Sequence, residues 1–134
     1  MTSAEFCAAI DPSGGGAALM KIRDRLRRWL EDSGLSEPDL HEILIAAGEA
    51  CSNVVEHSGA RPAAASPAAS IRVTCDERRV HVVVTDCGRW KEPKASSGPG
   101  SRGRGRLMMA GLVDQVDIRT GPDGTTVELT KHRR

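Results

Sequence analysis

The spacing of apolar residues changes along this chain, and that change constrains the fold more than any other feature. Over residues 17–32 and 36–57, apolar residues recur at the three- and four-residue intervals of an amphipathic helix. Residues 36–39 have the pattern of a capping box, which predicts Ser36 as the N-cap of the second helix. Residues 70–76 and 80–86 instead alternate apolar and polar side chains, which is typical of strands with one buried face. The short polar segment between these two stretches predicts a β-hairpin. The chain therefore combines helices with an antiparallel sheet.

Weaker patterns complete the predicted order of elements. A short strand is predicted at residues 6–10, a third helix at 105–115, and a last hairpin from strands 116–120 and 125–130. This order predicts an α+β fold, a two-layer α/β sandwich whose mostly antiparallel mixed sheet carries its helices on one face. A chain of 134 residues is expected to form one domain, residues 1–134.

Two segments are expected to lie outside the packed core. Residues 59–70 are rich in Ala and Pro, which predicts a mobile loop within the domain. Residues 89–102 are rich in Gly, Pro, Ser and Lys. A loop of that length in a small domain is typical of a lid over a binding site.

Composition argues against several broad classes of protein. The 19 Lys plus Arg nearly balance the 18 Asp plus Glu, so no overall field favours nucleic acid or membrane surfaces. Aromatic residues make up only 2% of the chain, which disfavours stacking on bases. Neither a membrane span nor a secretion signal is recognisable, so a cytoplasmic protein is expected. The four cysteines lack zinc-site spacing and are expected to be reduced and mostly buried: Cys7, Cys51, Cys75 and Cys87.

Polar residues in two segments point to a binding site. Glu49 and Asn53 are four residues apart on the side of a predicted helix that lacks apolar residues, so they can act on one ligand. Asp86 is the last residue of a strand whose apolar pattern predicts burial, and Gly88 follows two residues later. A carboxylate there can accept a hydrogen bond from an exocyclic amine, and glycine lets a flat ring approach the backbone. Adenine fits that chemistry, whereas guanine presents a carbonyl at the same edge.

Glycine and arginine alternate just before the third predicted helix. Gly103 and Gly105 leave backbone N–H groups free near the positive end of the helix dipole, which favours phosphate. Arginines add positive charge there: Arg102, Arg104 and Arg106. Residues 98–103 match the dinucleotide-binding glycine pattern but lack the surrounding βαβ unit, and no P-loop lysine follows. An RNA contact through the Arg-Gly segment remains an alternative.

Four segments in order carry a family resemblance. Glu49–His57, Asp86–Gly88, Gly103–Gly105 and Gly124–Thr125 resemble the N, G1, G2 and terminal Gly-Thr boxes of the histidine-kinase-like ATPase superfamily, the Bergerat fold. The compact length and the segments DCGRW and GRGRLMMAGLVDQV are most similar to the anti-sigma factor serine/threonine kinases of the RsbW type.

The resemblance implies roles for individual residues. Glu49 would be the general base and Asn53 the Mg²⁺ ligand, while His57 matches the box with a role left open between phosphate contact and helix structure. ATP or ADP would be bound with Mg²⁺. The implied nucleotide contacts are Asn53, His57, Asp86, Gly88, Gly103, Arg104, Gly105 and Thr125.

The function implied is that of a Mg-ATP-dependent serine/threonine protein kinase. It would phosphorylate a STAS-type anti-sigma antagonist and sequester a sigma factor as a homodimer, without direct contact to nucleic acid or membrane. Two alternatives stay open. One is a non-catalytic ATP-binding switch, including a regulatory piece of a SpoIIE-like phosphatase, and the other is an RNA binder that uses the Arg-Gly segment.

Overall fold

The structure, a computed structural model, consists of an antiparallel sheet with helices on one face. It describes residues 4–10, 15–57, 69–86, 107–121 and 124–134. The predicted α+β sandwich is confirmed. The predicted lid at 89–102 and most of the predicted loop at 59–70 lie outside the described residues.

Within the described ranges the sheet has five strands in the order β1-β2-β3-β5-β4, and each neighbouring pair among them is antiparallel. The strands are β1 Ala4–Ile10, β2 Ala69–Cys75, β3 Arg79–Asp86, β4 Gln115–Gly121 and β5 Gly124–His132. The helices are α1 Gly15–Asp32 and α2 Glu37–His57, and residues 107–112 form a short helical segment, α3. Among these described helices, no segment is both long and apolar enough to cross a membrane.

The core lies between the two helices and one face of the sheet. Alternate residues of β2 are buried, as the period of two predicts. Helix α1 packs on β1, while α2 packs on β3 and β5 at the centre of the sheet. The apolar stripes of both helices are buried against this face, with Leu26 and Leu30 from α1 and Ile43 and Leu44 from α2.

Element ends in the last third of the chain differ from the prediction. Helix α3 was expected to run through residue 115. It ends earlier, with the Val113 N–H donating a hydrogen bond to the Met109 carbonyl at 3.0 Å. The next N–H, that of Asp114, already donates to the Thr130 carbonyl of β5 at 2.9 Å. Strand β5 was expected to end at Thr130 and continues to His132, because β3 extends its pairing to that position. Both differences arise from long-range pairing that local patterns do not contain.

The prediction of mostly buried cysteines agrees with the three described positions, of which two are buried and one is exposed. Cys51 and Cys75 are buried, and burial raises the pKa of the Cys51 thiol to about 12. Cys7 is exposed, because the alternation of β1 points Phe6 and Ala8 into the core and Cys7 to the opposite face. Cys87 lies outside the described residues.

The turn between α1 and α2 follows local chemistry. Gly34, just after α1, has φ +76°, a left-handed conformation that glycine adopts without a Cβ penalty. The Ser36 hydroxyl oxygen accepts a hydrogen bond from the Asp39 N–H at 3.3 Å, and its carbonyl accepts the Leu40 N–H at 2.9 Å. Ser36 is therefore the N-cap of α2, as the sequence predicts.

Residues at and just after the end of β5 bind the start of α2 through ion pairs and a hydrogen bond. Lys131 is buried, and its Nζ donates to the Leu112 carbonyl at 3.2 Å. The same Nζ lies 3.8 Å from Asp39 Oδ1 and 3.5 Å from Glu42 Oε2. The Arg134 N–H donates to Asp39 Oδ2 at 2.9 Å. We call this group, Lys131, Arg134, Asp39 and Glu42, the C-terminal clamp. It ties the first turn of α2 and the end of α3 to the last strand.

Replacing Gly34, just after α1, and Gly48, within α2, by alanine should change the free energy of unfolding in opposite directions. Gly34→Ala forces a Cβ into positive φ and is expected to lower the free energy of unfolding by about 1 kcal/mol. Gly48→Ala adds a Cβ that meets nothing within 4 Å in a helix and should raise it by about 0.5–1 kcal/mol. Urea denaturation of both variants checks the prediction, which fails if both shifts have the same sign.

The clamp should make stability depend on acidity. Burial raises the pKa of Asp39, but the Arg134 N–H, a hydrogen bond with Ser36 and the charges of Lys131 and Arg134 outweigh it and lower the pKa overall. A lowered folded-state pKa contributes stability above the unfolded value of about 3.9, and that stability is lost as the pH falls through the folded pKa.

Asp39→Asn should therefore be less stable than wild type at pH 7 and should lose less stability between about pH 5 and pH 2. Urea unfolding across this range measures the slope. The exposed variant Glu37→Gln, in the same helical turn, serves as the control. Parallel pH profiles for wild type and Asp39→Asn would contradict the assignment.

Candidate functional site

Helix α2 presents two of the predicted site residues together. Glu49 and Asn53 are one helical turn apart, about 40° around the axis, and both are half-buried. On the sheet-facing side of the same stretch, Ala46 and Ala50 are fully buried. Small side chains there let the helix lie close to the strands, so polar groups on its flank can share a site with groups on the sheet.

The sheet contributes a polar position at the end of its central strands. Asp86 closes β3, and its Cα pairs with Thr125 on β5 and with Ala69 on β2. Ala69 is buried, and the Thr125 Oγ1 is buried with no hydrogen-bond partner among the described residues. A buried hydroxyl left without a partner costs about 1–3 kcal/mol. The residues therefore fit a ligand that offers a polar group to Thr125.

The C-terminal clamp determines which part of α2 lies at the level of Asp86 and Thr125. The helix rises about 21 Å from Asp39 to Asn53, and β5 covers about 20 Å from Lys131 back to Thr125. Asp39 and Lys131 are in contact at the other end, and α2 packs on β5 along the way. We infer that Asn53 and Thr125 lie at the same end of the sheet.

The remaining predicted site residues divide into two groups. For Asp86 and His57 the structure describes the backbone, as the last residues of β3 and α2. The others fall outside the described residues: Gly88, Gly103, Arg104 and Gly105. Their roles stay predictions.

A groove between α1 and α2 was missed from the sequence. It has a volume of about 340 Å³, and its lining includes Met20, Arg23, Ile45, Gly48 and Glu49. The basic residues of α1 are exposed. The available signal was the position of Met20 and Ile45, two large apolar residues outside the buried stripes, which are 68% and 43% exposed.

A family profile described as "Histidine kinase-like ATPase domain" matches residues 16–131. The chain is 31% identical to a serine-protein kinase RsbW of Bacillus licheniformis in an alignment of length 123 that covers 82% of this chain and 75% of the relative. It is 26% identical to a serine-protein kinase RsbW of Bacillus pumilus strain SAFR-032 in an alignment of length 106. That match spans 69% of this chain and 65% of the relative's length.

Solved structures show the same fold. The crystal structure of the RsbU and RsbW domains of Rv1364c from Mycobacterium tuberculosis superposes with a TM-score of 0.75 at 26% identity. That match covers 98% of this chain and 33% of the other. The SiaB-SiaC complex from Pseudomonas aeruginosa gives a TM-score of 0.61 at 12% identity, covering 95% and 89%, and likewise shares the fold.

Replacing the buried hydroxyl of Thr125 tests whether it lacks a partner inside the protein. Thr125→Val removes an unpaired polar atom and keeps the branched shape, so we expect the free energy of unfolding to rise by about 1 kcal/mol in the absence of ligand. Thr126→Val, on the opposite face of the same strand, is the matched control and should change stability little. A marked loss of stability in Thr125→Val would mean that the hydroxyl has an internal partner.

Proposed function

Because the chain belongs to the histidine kinase-like ATPase domain family and to its RsbW-like members, we propose that it is an ATP-dependent protein kinase that transfers phosphate to a serine or threonine. The observation that supports this proposal is the buried Thr125 hydroxyl, which has no hydrogen-bond partner among the described residues and stands in register with Asp86, at the end of the sheet that α2 approaches with Asn53 and Glu49.

Adenine is proposed to bind over the row formed by Asp86 and Thr125. The Asp86 carboxylate would accept a hydrogen bond from the exocyclic amine, which selects adenine over guanine. Thr125 would place its hydroxyl against the same ring, where the ligand would supply the hydrogen-bond partner that the described residues do not. Gly88 would leave room for the flat ring beside the backbone.

The phosphates are proposed to extend from this row toward α2. The Asn53 side-chain oxygen would ligate Mg²⁺, whose shell is commonly completed by phosphate oxygens and water. The metal would supply charge stabilisation for the transferred phosphoryl group. Among the described residues no group of three or more acidic, His or Cys side chains is arranged to hold a metal. A single amide oxygen fits a Mg²⁺ ion held jointly with nucleotide, because Mg²⁺ commonly takes only one or two protein oxygens. Gly103, Arg104 and Gly105 are proposed to face the phosphates, with His57 nearby.

Glu49 is proposed as the general base. It would accept the proton of the acceptor hydroxyl as that oxygen bonds to the γ-phosphorus and the bond to the ADP oxygen breaks. Glu49 is one turn from Asn53 and also lines the open groove between α1 and α2. A carboxylate in that position can meet a hydroxyl that arrives from solvent while the nucleotide stays on the Asn53 side.

The acceptor is proposed to be a STAS-type anti-sigma antagonist, and a sigma factor is proposed as a second partner of a homodimer. These assignments come from the resemblance to RsbW-type kinases. The single domain over residues 1–134, its loop at 59–70 and its lid at 89–102 belong to the same proposal. The chain spans 65% of the length of the Bacillus pumilus relative. The activity of that whole relative is therefore a proposal for this chain.

A non-catalytic ATP-binding switch is a second candidate. The Mycobacterium structure favours it in one respect, since the part similar to this chain is 33% of a longer polypeptide that also holds an RsbU domain. In such an arrangement nucleotide binding would control a neighbouring domain without phosphoryl transfer.

Glu49→Gln separates chemistry from nucleotide binding. We expect phosphate transfer from ATP to purified STAS-domain antagonists to fall on the order of 10²–10⁴-fold, because the base is lost. Calorimetric affinity for ATP should stay close to wild type. Asn53→Ala should instead abolish the Mg²⁺ dependence of ATP binding. Ser52→Ala, the half-buried neighbour, is the control for both.

The same measurements distinguish the two candidates. Equal transfer by wild type and Glu49→Gln would remove the proposed base. ATP-dependent binding of the partner without transfer would favour the switch. GTP binding as tight as ATP binding, or no nucleotide binding by wild type, would overturn the assignment of the pocket.

A further inference from the structure

The groove between α1 and α2 is an open apolar surface beside the proposed base. Buried residues form its floor: Ile22, Leu26, Leu44 and Ile71. Met20 of α1, Ile45 of α2 and Met108 of α3 line it and are exposed. Three large exposed apolar side chains that line one groove form a surface that a partner can bury, and methionine adapts its shape to different partners.

The α1 side of the groove is cationic. Arg23 lines it, and Arg27 follows one turn later, about 40° around the axis and therefore on the same side of α1. Both side chains are exposed, and neither forms an ion pair within the described parts of the chain. An occupant of complementary charge would place carboxylates along this rim.

Glu49 lies between the groove and the nucleotide side of α2. On a helix, Glu49 follows Gly48 by about 100°, and Asn53 lies about 40° further in the same direction. Gly48 and Glu49 line the groove. A hydroxyl presented from the groove would therefore meet Glu49 before it reaches the side that carries Asn53.

We propose that this groove is the docking site for the acceptor protein, which binds through an acidic amphipathic helix. One apolar side chain of that helix lies over Gly48, between Met20 and Ile45, and its carboxylates face Arg23 and Arg27. The proposal rests on the proposed kinase function for the identity of the occupant. The apolar floor and the cationic rim determine its chemistry.

Gly48 allows the groove to be filled without disturbing the fold. A Cβ built there meets nothing within 4 Å, so Gly48→Leu should fold and place its side chain where the occupant binds. Gly111 of α3 is equally open and exposed and does not line the groove, so Gly111→Leu is the matched control. Arg23→Glu reverses the charge of the rim, and Arg28→Glu makes the same change on the outward side of α1.

Fluorescence anisotropy with two labelled helical peptides tests the proposal. Each has about 16 residues with leucines at i, i+3, i+4 and i+7, and the flanking positions are Glu in one and Lys in the other. We expect wild type to bind the Glu peptide and to bind the Lys peptide about tenfold or more weakly. Gly48→Leu and Arg23→Glu should each weaken binding of the Glu peptide by about tenfold or more. Gly111→Leu and Arg28→Glu should bind it as wild type does.

Three results would overturn the proposal. They are equal binding of the two peptides, unchanged binding by Gly48→Leu and Arg23→Glu, or a wild-type dimer that Ile45→Glu converts to monomer in sedimentation, which would assign the groove to a second copy of the chain. Calorimetry with ATP on the same samples separates the two proposals. Peptide binding without ATP binding would remove the kinase assignment and keep the docking surface, whereas ATP binding without peptide binding would do the reverse.

Discussion

The position of α2 over the centre of the sheet is the constraint on which the rest of the structure depends. Its sheet-facing alanines, Ala46 and Ala50, are fully buried, so the helix lies close to β3 and β5. Along this stretch of α2 the small side chains interlock only weakly with the strands, whereas the large buried side chains Ile43 and Leu44 lie nearer the start of the helix. A slip of one turn, about 5.4 Å, would carry Asn53 away from the level of Thr125. The site therefore requires a contact that fixes α2 lengthwise.

The C-terminal clamp is that contact. The Lys131 Nζ donates a hydrogen bond to the Leu112 carbonyl and forms ion pairs with the carboxylates of Asp39 and Glu42. Replacing buried ion pairs by apolar side chains is often neutral for stability, so net stability does not explain a lysine here. An apolar contact tolerates sliding, whereas an ammonium group surrounded by placed acceptors does not. The clamp is better understood as setting the register of α2 and α3 on β5.

Local chemistry in this chain could be predicted, and chemistry created by tertiary contact could not. Ser36 was predicted as an N-cap because a cap depends on neighbouring residues alone. Glu49 and Asn53 were placed on one flank of α2 by helical periodicity, and both are half-buried there. The pairing of Lys131 with Asp39 joins distant parts of the sequence, and no local pattern contains it. The Thr125 hydroxyl, which has no hydrogen-bond partner among the described residues, is likewise a result of tertiary packing that the local sequence does not contain.

The groove shows where α2 departs from what an isolated helix would favour. Glycine inside a helix costs about 1 kcal/mol relative to alanine, yet Gly48 stands mid-helix with open space around it. Nothing in the packing of the described residues requires a missing side chain there. A helix that gives up stability beside its proposed base, between an apolar floor and a cationic rim, is consistent with a surface retained for an occupant. The two sides of α2 would then serve different ligands, with nucleotide toward Asn53, protein toward Gly48, and Glu49 at the boundary where they react.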